Sequence, residues 1–151
     1  MPRYCQQSDL ERAVGGAAIL VQLLDKNADN QADCDLVNQA IDAGSNELAS
    51  YIQRKVDIGS ISAPYPLSLV LKSADAAAFY AWKFGAYGQP IAEHIVQGYE
   101  ASIRWAKDVG DGSATLGVIQ KPVLDPPAKT VDYDPDGSKV SITAFRKWGF
   151  R

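Results

Sequence analysis

CDLVNQAIDAGSNELASYIQRKV, residues 34–56, is the stretch whose reading decides the fold class. Val37, Ile41, Leu48, Tyr51, Ile52 and Val56 recur at three- and four-residue steps, with Ala40 and Gly44 among them. That spacing puts one apolar stripe on an α-helix, which needs another element to cover it. At about 1.5 Å per residue the helix spans roughly 30 Å. Gly44 stands in the stripe at a propensity cost of about 1 kcal/mol. Close approach of a second helix is the use that offsets this cost.

Toward the N-terminus, residues 25–35 (DKNADNQADCD) form a polar turn ahead of the long helix. Before the turn, residues 17–24 (AAILVQLL) fit a short helix or a strand, and helix is preferred because Ala and Leu dominate and only two residues are β-branched. Ser8-Asp9-Leu10-Glu11 has capping-box spacing, with Ser8 as the cap and Glu11 reaching back. A first short helix then runs to Val14 and breaks at Gly15-Gly16.

Toward the C-terminus, a proline-containing connector at 57–66 brings Tyr65 down on the core. The next long helix opens at Pro66 or Leu67, with Leu67, Val70, Leu71, Ala74, Ala78 and Trp82 inward and Ala76 to Ala78 keeping it thin. It stops around Gly85 to Gly88. Pro90 opens a last helix with Ile91, Ile95, Tyr99, Ile103 and Ala106 inward, and Gly110-Asp111-Gly112 ends it. Beyond it, residues 115–119 fit a short strand, and Pro122, Pro126 and Pro127 forbid a continuous element. Residues 129–133 and 139–143 read as extended pieces around a turn at Asp134-Pro135-Asp136-Gly137. The expected fold is therefore mainly α: a small helical bundle (1–120) with an extended C-terminal arm (121–151) containing short β-strands.

Composition agrees with a packed body. The chain has 151 residues, 46% of them apolar, enough for one domain that needs no staples. Residues 1–120 carry 9 Lys/Arg against 14 Asp/Glu (−5), and residues 121–151 carry 6 against 4 (+2). The body thus offers no basic surface for nucleic acid, while the arm is mildly basic. The opening MPRYCQQSD has no apolar core of signal-peptide type, and no stretch approaches eighteen uncharged apolar residues. Synthesis in the cytoplasm and no membrane partner are expected. Cys5 and Cys34 follow no metal-ligand spacing and read as a buried small residue or a surface bystander.

The most informative local feature is the end, FRKWGFR. Phe145, Trp148 and Phe150 are interleaved with Arg146, Lys147 and Arg151. Folding back onto the body, anchoring in another chain and stacking on nucleic acid all fit this composition. Anchoring is preferred, since aromatics and arginine dominate interface energetics; the acidic body argues against nucleic acid.

Other sites that look chemical read as structural. Asp25, Asn27, Asp29, Gln31 and Asp33 alternate as the first ligands of a calcium loop do. Position 6 is Asn30 instead of Gly, and position 12 is Leu36 where a bidentate Glu is required. A polar turn capping the next helix is preferred over a weak cation site. His94 is the single histidine and is expected at the surface. No nucleophile elbow, phosphate loop or dinucleotide fingerprint appears, so neither catalysis nor a cofactor is expected.

The order of these pieces resembles a known family, the small head-completion or head–tail adaptor proteins of Mu-like tailed bacteriophages. The resemblance runs from Tyr4 and the Asp9-Leu10 helix start through the Asp-rich turn to Tyr51-Ile52-Gln53-Arg54. It continues with Ala63-Pro64-Tyr65-Pro66-Leu67, the Ala-rich stretch 76–81, the repeat from Tyr99 to Trp105, and Leu116-Gly117. It implies a non-catalytic connector that forms a ring, twelve-fold, below the phage portal protein and completes the head for tail attachment. The implied partners are the portal, a tail-side neck or tail terminator protein and further copies of the chain, with packaged DNA passing through without specific binding. The implied location is the virion neck. The other reading is a small cellular helical protein-binding module with an aromatic docking tail.

Overall fold

The computed structural model describes residues 3–86 and 88–116, together with the backbone of 130–133 and 140–143. Five α-helices follow one another: α1 (Gln7–Val14), α2 (Ala17–Leu24), α3 (Cys34–Ile52), α4 (Leu67–Gly85) and α5 (Glu93–Asp111). The chain divides into two compact units, Met1–Lys121 and Pro122–Arg151. In the second, β1 (Thr130–Tyr133) pairs antiparallel with β2 (Val140–Thr143), Val131 opposite Ile142.

The mainly α fold read from periodicity is the fold of the body. α3 is its spine, packing against both α4 and α5. Val37, Ala40, Ile41, Gly44, Leu48 and Ile52 of its apolar stripe are buried. Burying a Leu or Ile side chain in full contributes roughly 1.5–3 kcal/mol, so this stripe is a principal source of stability. A Cβ built on Gly44 would stand 2.6 Å from the amide nitrogen of Ala77. The glycine is where α4 comes closest, and Ser73, Ala76 and Ala77 of α4 are buried there.

Of the residues expected inward on α4, Ala74 and Ala78 are buried and Val70 and Trp82 pack partly buried on the core, but the two leucines of that row do not. Leu67 and Leu71 are 70% and 43% exposed, while Leu69 is fully buried. Leucine at the helix crossing would hold the backbones apart; the small residues Ser73, Ala76 and Ala77 let them touch. A short buried polar chain crosses the same region. The Tyr4 N–H donates to Ser45 Oγ at 3.3 Å, Ser45 and Ser73 share a 3.0 Å hydroxyl contact, and Ser73 Oγ donates to Cys5 Sγ at 3.5 Å. The segment before α1 is thereby pinned across α3 and α4.

Other boundaries move for similar reasons. The cap of α1 is Gln6, two residues before the expected Ser8, and the Gln6 N–H donates to Asp9 Oδ2 at 3.0 Å. Docking of Tyr4 and Cys5 keeps the chain extended through Gln6, so the helix starts immediately after it. α3 ends at Ile52 instead of continuing to Val56, although Val56 remains buried after the turn. α5 begins at Glu93, three residues after Pro90. Gly110 lies inside α5, where a Cβ would stand 2.3 Å from the Tyr51 carbonyl oxygen. The helix ends at Asp111, within the expected Gly110-Asp111-Gly112, with Gly112 as its left-handed cap at φ 85°. Thr115 and Leu116 form no strand, yet Leu116 is buried with Leu48, Ile52 and Val109; residues 117–119 of the expected strand lie outside the described residues.

Candidate interaction surface

The sequence-derived anchor, Phe145, Arg146, Lys147, Trp148, Phe150 and Arg151, lies outside the described residues. The alternating polar loop is described, and its carboxylates are engaged with the loop itself. Asp25 accepts from the N–H groups of Asp29 (3.2 Å) and Asn30 (2.9 Å), and Asp29 accepts from Gln31 (2.9 Å). Asp33 accepts from the Lys26 N–H at 3.3 Å and from the Asn27 side-chain amide. Asn30 adopts φ 62°, the left-handed conformation asparagine tolerates in place of glycine. Among the described residues no three acidic, Cys or His side chains converge as cation ligands do. The loop is an Asx-type turn feeding α3. His94 is exposed on α5; Cys5 is buried and Cys34 exposed.

A different cluster forms where α3, α4 and α5 meet. Glu47 on α3 accepts from two tyrosine hydroxyls, Tyr80 of α4 at 2.9 Å and Tyr99 of α5 at 2.8 Å. Phe79 stacks on Tyr99 with centroids 4.1 Å apart and planes 16° from parallel, and Tyr80 meets Tyr99 edge-on at 6.5 Å. One helical turn beyond Glu47, the Tyr51 ring lies beneath two cations, Lys107 Nζ at 5.3 Å and the Arg54 guanidinium at 5.8 Å. Lys83 Nζ sits 5.9 Å over Tyr80. Glu47, Tyr51, Phe79, Tyr80 and Tyr99 are all half-buried, so the cluster has one face inside and one in solvent.

The electrostatics keep both tyrosine hydroxyls protonated at neutral pH. Burial, and then the bond to Glu47, push the Tyr80 hydroxyl up to about 12, and the same causes raise Tyr99. Both hydroxyls remain protonated donors, and Glu47 is held between them. An acid whose folded pKa is raised contributes stability that is complete below its unfolded value, about 10 for tyrosine, and lost as pH climbs through the folded value. Stability should therefore fall between about pH 10 and pH 12. Near-ultraviolet absorbance titration should show Glu47→Gln lowering the Tyr80 midpoint toward the ordinary value; an unchanged midpoint would mean the carboxylate contributes nothing.

Sequence reading placed Tyr51 and Tyr99 in apolar stripes and passed over Glu47 and Tyr80. The two tyrosine contacts span 33 and 52 residues, so no local pattern could announce them. The one available signal was a glutamate four residues before a tyrosine on the flank of a long amphipathic helix.

On the other flank of α3, the Arg3 fork grips Asp42 through Nε (2.6 Å) and Nη2 (2.9 Å) and reaches Asn38 through Nη1 (2.7 Å). Beside it is a cleft of about 270 Å³ whose lining includes Arg3, Gln6, Gln7, Cys34, Val37 and Ile41.

The family model described as Bacteriophage Mu, Gp36 matches residues 4–133. The chain belongs to that family. No curated protein matches it. Membership makes this a Mu-like phage protein, and the pieces that carried the resemblance have structural work in the Gp36-type body. Tyr4 meets Tyr65 of the connector edge-on at 5.3 Å, and Arg54 covers the Tyr51 ring from three residues away. No described helix is long and apolar enough to cross a membrane.

Proposed function

We propose that this protein is a structural head–tail connector of a tailed phage, forming a ring below the portal and completing the head for tail attachment. Membership of the Mu Gp36 family over residues 4–133 is the observation that carries this reading. The rigid helical body supplies walls between copies, and the basic, aromatic C-terminal end grips the portal or the tail-side protein. The role requires no catalytic step and no cofactor. Its location is the virion neck, with packaged DNA passing an acidic body that does not bind it. A cellular binding module is not favoured, because the family is a phage one.

Native mass spectrometry of the full chain, alone and with purified portal, should show a closed multimer, twelve-fold by the family resemblance. A strictly monomeric chain without affinity for portal would overturn the reading. Truncation after Thr130 should leave the helical circular dichroism of the body intact while portal attachment is lost. Attachment that survives the truncation would show that residues 131–151 are not the grip.

A further inference from the structure

We infer that copies of the body associate head to tail. The edge of α3 bearing Glu47 and Tyr51, with Arg54 from the turn after it, in one copy seats against the edge bearing Asp35, Asn38 and Asp42, with its cleft, in the next. This rests on the ring reading above and names the two surfaces that would build it.

The spacing along α3 places the two edges. Asn38 and Asp42 precede Glu47 and Tyr51 by nine residues each, which is about two and a half turns at 3.6 residues per turn. They therefore face opposite sides of the same helix. The first edge continues onto Tyr80 and Tyr99, whose hydroxyls are locked by Glu47, and carries cations over its rings. Tyr and Arg held in place at low entropic cost are the residues that anchor interfaces. Arg54, Lys83 and Lys107 form no ion pair among the described residues.

The opposite edge complements this one in charge and shape. Asp35 is exposed and in no ion pair among the described residues, while Asp42 is already held by Arg3, so Asp35 is the acid this edge offers the cations of another copy. The cleft beside it, about 270 Å³, falls below the roughly 300–1,000 Å³ of small-molecule pockets and suits a single large side chain. Gln6, Gln7 and Asn38 contribute amide groups to its lining, and Val37 and Ile41 apolar surface. Two unlike surfaces on opposite sides of one element do not match in a two-fold dimer. They match head to tail, and such contacts close into rings when the rotation between copies allows.

Cys34 is an exposed native reporter on the cleft edge, whereas Cys5 is buried. Lys107→Cys places a second thiol at the rim of Tyr51, and Lys83→Cys places one beside Tyr80 on the same surface. The full-length variants, with portal present, are treated with a short bismaleimide linker and read by denaturing electrophoresis, with native mass spectrometry of the same samples. The expected result is a ladder of dimers, trimers and higher species, at least tenfold above unmodified protein and removed by Cys34→Ser. A multimer by mass spectrometry that links only Cys34 to Cys34, or links neither introduced cysteine, would overturn the surface assignment and leave the ring intact. A chain that stays monomeric with portal would overturn both.

Discussion

Gly44→Ala should destabilise the body by at least about 2 kcal/mol, although alanine is the better helix former. Propensity alone would favour the variant by about 1 kcal/mol. Against this, the new methyl would sit 2.6 Å from the Ala77 nitrogen and 3.0 Å from the Ala76 carbonyl carbon and Ala77 Cα. These are backbone atoms, which cannot rotate aside as a flexible side chain does. α4 must retreat along the Ser73–Ala77 contact, loosening the Ser45–Ser73 hydroxyl pair. Overpacking of this kind costs about 1–3 kcal/mol per inserted group, and Gly44→Val should lie beyond that range. The control is Gly98→Ala in α5, where the nearest atom to the added methyl is 3.7 Å away. That variant should be stabilised by up to about 1 kcal/mol. Urea unfolding of both decides the matter, and two alanine variants that move in the same direction would refute the close-approach account.

Tyr4→Ala should cost about 3–5 kcal/mol, the range for truncating a large buried aromatic, and lower the melting temperature by roughly 10 °C. Tyr4 stands three residues before α1 and is only 2% exposed. Its ring meets Tyr65 edge-on, and its amide is the first link of the buried Ser45–Ser73–Cys5 chain. Removing the ring opens a cavity among Leu48, Ile52, Val56 and Leu69 and releases the strap that Arg3 holds to Asp42. Domains of this size are stable by only about 5–15 kcal/mol, so the loss is a large share of the total. Differential scanning calorimetry measures it directly. A shift within a degree or two of the parent would mean that the first residues contribute little.

The two variants also mark how far local pattern carried. The use of Gly44 was legible because a glycine inside a long apolar stripe has few other reasons to persist. The role of Tyr4 was not: it precedes the first helix in no repeating pattern, and its partners lie 41 and 61 residues away. The polar loop was legible as a turn, since Asp25 and Asp29 accept from amides two to five residues on, a strictly local matter. The Glu47–Tyr80–Tyr99 cluster was not, because three helices each contribute one residue to it.

α4 shows the same boundary within one element. Its existence and its alanine-thin middle follow from sequence, because periodicity and propensity act over a few turns. Which of its leucines faces inward does not. Leu67 and Leu71 belong to an apolar row as good as the one containing Leu69, and nothing within the helix ranks them. The choice was made at the crossing with α3, where Gly44 admits only small residues and so turns Ser73, Ala76 and Ala77 inward. By itself, then, the sequence determined which segments are helical, where the long apolar stripe of α3 lies and why the loop before it turns. Which leucine α4 buries, what the first residues hold and where a tyrosine-lined surface emerges were decided only by tertiary packing. Periodicity constrains neighbours along the chain, and those three features depend on contacts between residues tens of positions apart.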